Sequence, residues 1–367
     1  MQRMSEQENL FLQIVALNGM KPLAKERTLQ SFFHVLRGRK ANQTLQDVHL
    51  FRLYPYYRLF PHFPREQWEE IVQLLVGQDL IRKQELDQKK TTFFLTQKGE
   101  ELCRDGREHY QLNEWLELFH HHTWVSEHFV AFWLRIHLTV QTISHLLIEE
   151  TSFYPLVQDR QIQQFIKLQL QNREMRKRWL DGLFAELYCL LADLPEDVQP
   201  LLVKQWAGAA QTGLTIQQLA YQEHLPSSYI RMKWRYGVAR MMIQAREKAE
   251  EFPLLAALLP EQENEGLQMS KSARETYRLL QRNLSLEEIA RIRGITRNTV
   301  EDHLVDIALH CQDWDASRFL AEEEKKQILE ACARLDTRRL RLIKEELDDR
   351  FTYLQIRLAL ASGEGKA

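Results

Sequence analysis

The stretch of this 367-residue chain best suited to chemistry is Leu284-Ser285-Leu286-Glu287-Glu288-Ile289-Ala290-Arg291-Ile292-Arg293-Gly294-Ile295-Thr296-Arg297-Asn298-Thr299-Val300. Ser285 and Glu288 spell a capping box, in which a hydroxyl and a carboxylate satisfy the unpaired N–H groups that open a helix. Ala290 is small enough for two helices to cross. Gly294 supplies the positive φ of a turn, and Thr296 caps a second helix anchored by Val300 and Leu304. That is helix-turn-helix spacing. It places Arg297, Asn298, Thr299 and His303 on a candidate recognition helix, with Arg291 and Arg293 beside it for phosphates. From Lys271 to Val300 the charged residues are seven basic and three acidic, a local +4 in a chain of net charge −2. Counterion release from a polyanion rewards such a patch. Glu301 and Asp302 follow directly, and they point to the other use of a helix pair, contact with protein.

A second stretch, TIQQLAYQEHLPSSYIRMKW (215–234), has the same outline. Thr215 with Gln218 makes a capping box, Ala220 takes the crossing, and Leu225 and Ile230 take the buried turn and second-helix positions. Ala220 and Ala290, Leu225 and Ile295, and Ile230 and Val300 each lie 70 positions apart. The earlier stretch has His224 where the later one has glycine. Its Ser227, Ser228, Arg231, Lys233 and Arg235, interleaved with Tyr229, Trp234 and Tyr236, suit a nucleic-acid backbone, although the aromatics suit a core equally.

These segments need elements to position them. With 13 Gly, 10 Pro and 44% hydrophobic residues, the composition favours a mostly α-helical protein of two or three domains. Residues 5–20 read as a short apolar helix. Thr28 to Leu36 is a helix stopped at Gly38, Gln43 to Leu53 a second, and Arg65 to Gly77 a third, opened by Pro64 and carrying Trp68, Ile71, Val72 and Leu75. Leu80-Ile81 and Thr92 to Leu95 then alternate as two strands joined by RKQELDQKKT. Helix–helix–helix–hairpin is the order of a winged helix. Arg37, Gly38, Arg39 and Lys40 end its first helix, and Arg82, Lys83, Lys89 and Lys90 sit on the wing. The expected division is 1–108, a winged-helix domain; 109–258, helical with a helix-turn-helix near 214–236; 259–268, a linker; and 269–367, a helix-turn-helix domain.

Several function classes are disfavoured. There is no G-x-x-x-x-G-K-[ST] phosphate loop, G-x-S-x-G, H-E-x-x-H or dinucleotide fingerprint, so no enzyme and no cofactor is expected. Cys103, Cys189, Cys311 and Cys332 form no C-x-x-C pair. His120-His121-His122, His128, His137 and His145 match no ligand spacing, and no metal is expected. Trp124, Phe129, Phe132, Trp133 and Ile136 form an apolar stripe that reads as core. Glu6 and Glu8 stand where a leader wants positive charge, and Phe129 to Ile148 is interrupted by Arg135, His137 and His145. The expectation is a cytoplasmic protein without a membrane span.

The N-terminal segment resembles the winged helix that follows the motor in RecQ-type helicases. Val35-Leu36-Arg37-Gly38-Arg39-Lys40, Trp68, Leu74 to Ile81 and Leu95-Thr96-Gln97-Lys98-Gly99 carry that likeness. LSLEEIARIRGITRNTVEDHL, with Ile343-Lys344-Glu345-Glu346 and Tyr353 to Arg357, resembles the helicase helix-turn-helix domain at the end of some RecQ proteins. The segment from Leu194 to Met242 resembles region 4 of sigma factors. The layout is similar to the free-standing YpbB-like bacterial proteins. The resemblance implies a non-catalytic protein that binds DNA, forked or junction DNA in particular, and serves a RecQ-like helicase in repair or recombination. Two other expectations are a helix-turn-helix transcription regulator and a protein-interaction scaffold.

Overall fold

The computed structural model describes residues 5–87, 90–150, 152–260, 269–311 and 314–363. The first part holds α1 (Glu6–Met20), α2 (Leu29–Arg37), α3 (Asn42–Leu50), α4 (Arg65–Gly77), the strands β1 (Ile81–Asp87) and β2 (Lys90–Leu95), α5 (Gln97–His109) and α6 (Leu112–His121). Then come α7 (Val125–Leu147), α8 (Arg160–Gln169), α9 (Arg173–Ala192), α10 (Gln199–Val203), α11 (Ile216–Glu223), α12 (Ser227–Glu247) and α13 (Pro253–Ala257). The last are α14 (Lys271–Leu280), α15 (Leu286–Arg293), α16 (Arg297–His310), α17 (Glu322–Leu335), α18 (Leu340–Glu346) and α19 (Tyr353–Gly363).

These elements form two compact units that cut across the linear order expected above. The described residues of Met1–Leu12 and Trp124–Glu263 make one unit, and those of Gln13–Thr123 and Asn264–Ala367 make the other. In the second unit the N-terminal helices and hairpin share one body with the C-terminal helices, because α3 packs on both α16 and α19. Glu26 ties the same seam by accepting from Thr337 Oγ1 at 2.7 Å and from the Arg338 N–H at 3.1 Å.

Helix–helix–helix–hairpin is the order observed in that unit. Phe32, Phe33, Val35 and Leu36 of α2 are buried with Trp68, Ile71 and Leu75 of α4, and Phe33 stacks on Trp68 at 6.1 Å. Gly38 closes α2 in the left-handed conformation at φ 68°, as its position predicts. α3 ends at Leu50, earlier than expected, since Arg52 turns left-handed at φ 51° and Pro55 follows. The hairpin is longer than expected: RKQELD, read as connection, is strand, and Ile81 pairs with Leu95, Lys83 with Phe93 and Glu85 with Thr91. Only the end carrying Ile81 and Phe93 enters the core, so the hydrophobic alternation is legible there and fades along the polar remainder.

In the other unit α12 is the central helix, burying Ile230, Met232, Val238, Ala239, Met241 and Met242. The stripe Trp124, Phe129, Phe132, Trp133 and Ile136 is buried as expected. Trp133 meets Trp234 edge-on at 5.3 Å and stacks on Trp206 at 6.2 Å. Among the described residues no helix is long and apolar enough to cross a membrane, and no three His, Cys, Asp or Glu side chains gather as a metal set.

Candidate nucleic-acid interface

The turn at Gly294 sets the geometry. Ser285 Oγ accepts from the Glu288 N–H while Glu288 accepts from the Ser285 N–H at 2.8 Å, closing the capping box of α15. Gly294 adopts φ 63°, and its N–H returns to the carbonyls of Ala290 and Arg291. Thr296 Oγ1 then accepts from the Thr299 N–H at 3.2 Å and opens α16. Val300 and Leu304 are fully buried. This anchoring leaves Arg297 and Asn298 exposed on the first turn of α16, with Arg291 exposed across the turn. A helix N-terminus carries partial positive charge and N–H donors, so an anion approaching here meets both dipole and guanidinium.

Two residues expected on this face are elsewhere. Arg293 turns inward: Nη1 donates to the Ser272 carbonyl at 2.7 Å and Thr276 Oγ1 at 2.5 Å, and Nη2 to Glu275 at 2.9 Å. His303 is buried against Thr276 Oγ1 at 2.8 Å. Burial, then the Arg293 charge, holds its imidazole below the usual range. Both are internal braces of α14, α15 and α16 and present nothing to a groove. Thr299 is half-buried and spends its hydroxyl on Thr296 at 2.8 Å.

The acidic pair after Val300 is accounted for by arginines. Glu301 accepts from Arg297 Nε at 3.0 Å, and Asp302 accepts from Arg357 Nη2 of α19 at 2.5 Å. Arg297 also holds Glu287 at 2.7 Å. It therefore reaches an anion only by exchanging carboxylates. Exposed pairs of this kind are worth about 0–1 kcal/mol, so the exchange is cheap. Arg291 makes no ion pair among the described residues.

A second basic group lies at the end of α2. Arg37, Arg39 and Lys40 are exposed around Gly38. Arg58 covers that glycine so closely that an added Cβ would fall 1.7 Å from its Cγ. Arg37 lies over the Phe33 ring, and Arg39 meets His34 Nε2 at 3.1 Å. Burial first, then Arg39 and Arg37, lowers the pKa of His34. On the wing Lys83 is exposed, while Arg82 is held bidentate by Asp79 at 2.8 Å and 2.9 Å. Lys89 and the Lys90 side chain lie outside the described residues.

Residues 272–360 match the helix-turn-helix domain family. Along nearly its whole length the chain is similar to Protein YpbB of Bacillus subtilis (strain 168), with 24% identity over 351 residues, covering 95% of this chain and 97% of that one. The chain is thus YpbB-like, with a helix-turn-helix match towards its C-terminus. No solved structure matches it.

The earlier helix-turn-helix stretch has the expected backbone but not the expected surface. The Thr215–Gln218 capping box is present, and His224 takes the left-handed turn at φ 53° without being glycine. Leu225, expected in the turn core, is 38% exposed. The start of α12 is filled from within its own unit. Glu8 accepts from the Ser227 N–H at 2.6 Å and from the Ser228 N–H at 3.2 Å. Ser228 is buried, Arg231 is half-buried, and Lys233 is held by Asp197 and lies over Tyr229. Arg235 is buried and donates to Ser126 Oγ at 2.9 Å, so these residues form no open basic face, a correction to the sequence reading.

Sequence reasoning passed over Arg58, whose signal is visible only once the left-handed turn at Gly38 brings it there. A cleft of about 570 Å³ between α3 and α19 was also missed. Its Arg27, Arg341 and Arg357 are already held by Asp47, Glu345 and Asp302, and Arg339 lines it as well.

Proposed function

We propose that this protein is a non-catalytic DNA-binding accessory that acts with a RecQ-like helicase in repair or recombination, forked or junction DNA being the preferred ligand. The observation that carries the reading is the open first turn of α16, with Arg297 and Asn298 exposed on it and unpaired Arg291 facing it across the Gly294 turn. The helix-turn-helix match and the similarity to YpbB support DNA binding. The basic group Arg37, Arg39 and Lys40 adds a second set of phosphate contacts. The missing phosphate loop in the sequence argues that any motor is supplied by a partner.

The deciding experiment follows binding of the full chain to labelled forked and plain duplex DNA by anisotropy across a salt series. With four to six phosphates neutralised, log affinity falls with log salt at a slope of roughly −4 to −5. A slope near zero overturns the reading. Adding the chain to a RecQ-type helicase is expected to raise forked-duplex unwinding, while the chain alone hydrolyses no ATP. Tethered modules of this kind raise local concentration enough for gains of roughly 10²–10⁴-fold without new chemistry.

A further inference from the structure

α9 has one face with no role in its own unit. Its inner face is fixed: Trp179, Leu183, Leu187 and Leu190 are buried. Buried Glu186 accepts from the Leu254 and Leu255 N–H groups at 3.0 Å and 2.9 Å. Gly182 lies so close to Leu254 that an added Cβ would fall 2.8 Å from its Cδ1. The helix cannot rotate without losing these contacts. The outer face therefore stays outward.

At about 100° per residue, Arg173, Lys177, Phe184 and Tyr188 fall within an arc of about 60°, spread over roughly 22 Å of helix. Phe184 is 78% exposed and Tyr188 65% exposed, and their rings stack at 6.1 Å with 27° between planes. Around the first turns of α9, Arg173, Lys177 and Arg178 are exposed and hold no carboxylate among the described residues. Several other exposed arginines, Arg65, Arg104, Arg297, Arg334 and Arg341, each hold an acidic neighbour. Unspent cations beside unspent aromatic rings are the two components of a single-strand binding surface.

We propose that this stripe of α9 is a platform for single-stranded nucleic acid, with phosphates at Arg173 and Lys177 and unstacked bases on Phe184 and Tyr188. Duplex does not fit the same chemistry, since its base faces are hidden in the stack. A protein partner is the less favoured occupant. Docking patches are contiguous apolar surface, whereas here two rings stand among Asp181, Ala185 and Cys189. The site is separate from the helix-turn-helix face and does not depend on it.

The test uses the full chain with a labelled oligo-dT strand and a duplex of equal length. F184A/Y188A is expected to weaken oligo-dT binding about tenfold or more, from the stacking of one or two bases, and to leave duplex binding alone. R173A/K177A is expected to weaken oligo-dT binding and flatten its salt slope by about 1–2. R291A/R297A/N298A is expected to do the reverse, losing duplex and keeping oligo-dT. All the α9 side chains changed are exposed, and circular dichroism confirms that the fold is kept. Unchanged oligo-dT affinity in F184A/Y188A, or equal loss on both ligands, overturns the proposal and leaves the face to a protein partner.

Discussion

Arg293 Nη1 lies 3.1 Å from His303 Nδ1, and both converge on the hydroxyl of Thr276, at 2.5 Å and 2.8 Å. An imidazole nitrogen that accepts from a guanidinium is neutral, in keeping with the lowered pKa of His303. R293A removes a largely buried cation and leaves Thr276, Ser272 and His303 short of a donor. The expected cost is about 2–3 kcal/mol, read as a lower denaturation midpoint. DNA affinity of the folded variant is expected to stay close to that of the parent chain.

Arg297 and Asn298 show the opposite profile. R297A/N298A leaves the fold intact, because both side chains are exposed. It is expected to weaken duplex binding by about 1–3 kcal/mol and to reduce the salt slope by about 1. Unchanged affinity with an unchanged dichroism spectrum would reassign α16 to protein contact.

The two glycines of the helix-turn-helix and of the hairpin exit separate backbone strain from collision. Gly294 has φ 63° and nothing within 4 Å of an added Cβ. G294A therefore costs only the left-handed conformation, about 1–2 kcal/mol. Gly99 sits in α5, where an added Cβ would lie 2.1 Å from the Leu80 carbonyl oxygen. Backbone cannot step aside as a side chain does, so G99A is expected to cost more than about 3 kcal/mol. Chemical denaturation of both variants gives the order directly.

Glu8 offers a check on the start of α12. Removing its carboxylate by E8A frees the Ser227 and Ser228 N–H groups and is expected to cost about 1–2 kcal/mol, as loss of a cap does. DNA affinity is expected to stay the same. A gain in affinity would show that Glu8 holds a phosphate position closed.

Acid is expected to loosen the unit that carries the helix-turn-helix. His120 is pushed down to about 4, by burial first and then by Arg52, His121 and Arg107. His34 and His303 in the same unit are lowered too. A histidine with a depressed native pKa leaves the unfolded chain binding more protons, so its contribution is complete above about 6.5 and lost as pH falls toward 4. Melting temperature should therefore fall across that window, and H120Q should flatten the decline.

Much of this was legible in the sequence, for a local reason. The capping boxes at Ser285 and Thr215, the glycine stops at Gly38 and Gly294, and the span Arg65–Gly77 depend on neighbours three or four residues away. What sequence could not show was direction. Arg293 and His303 share a basic segment with Arg291 and Arg297, yet turn inward because Thr276 and Ser272 wait on α14. Ser227 and Ser228 look like a phosphate cradle until Glu8, more than two hundred positions earlier, occupies it. The α9 stripe went unread because Arg173, Lys177, Phe184 and Tyr188 align only once the buried face of the helix is known.

The interleaving of the two units has a consequence for biosynthesis. The body holding Gln13–Thr123 lacks the packing of α16 and α19 on α3 until Asn264–Ala367 has been made. The other body needs only Met1–Leu12 and Trp124–Glu263, so it can close first. During that interval Leu50 of α3, which lines the cleft together with Val305 and Leu360, waits without its partner. Such exposed apolar surface is a hazard while a chain is incomplete. Fragments cut at 108 or 268 would freeze the molecule at that stage, whereas a polypeptide joining 13–123 to 264–367 keeps that body's two halves together.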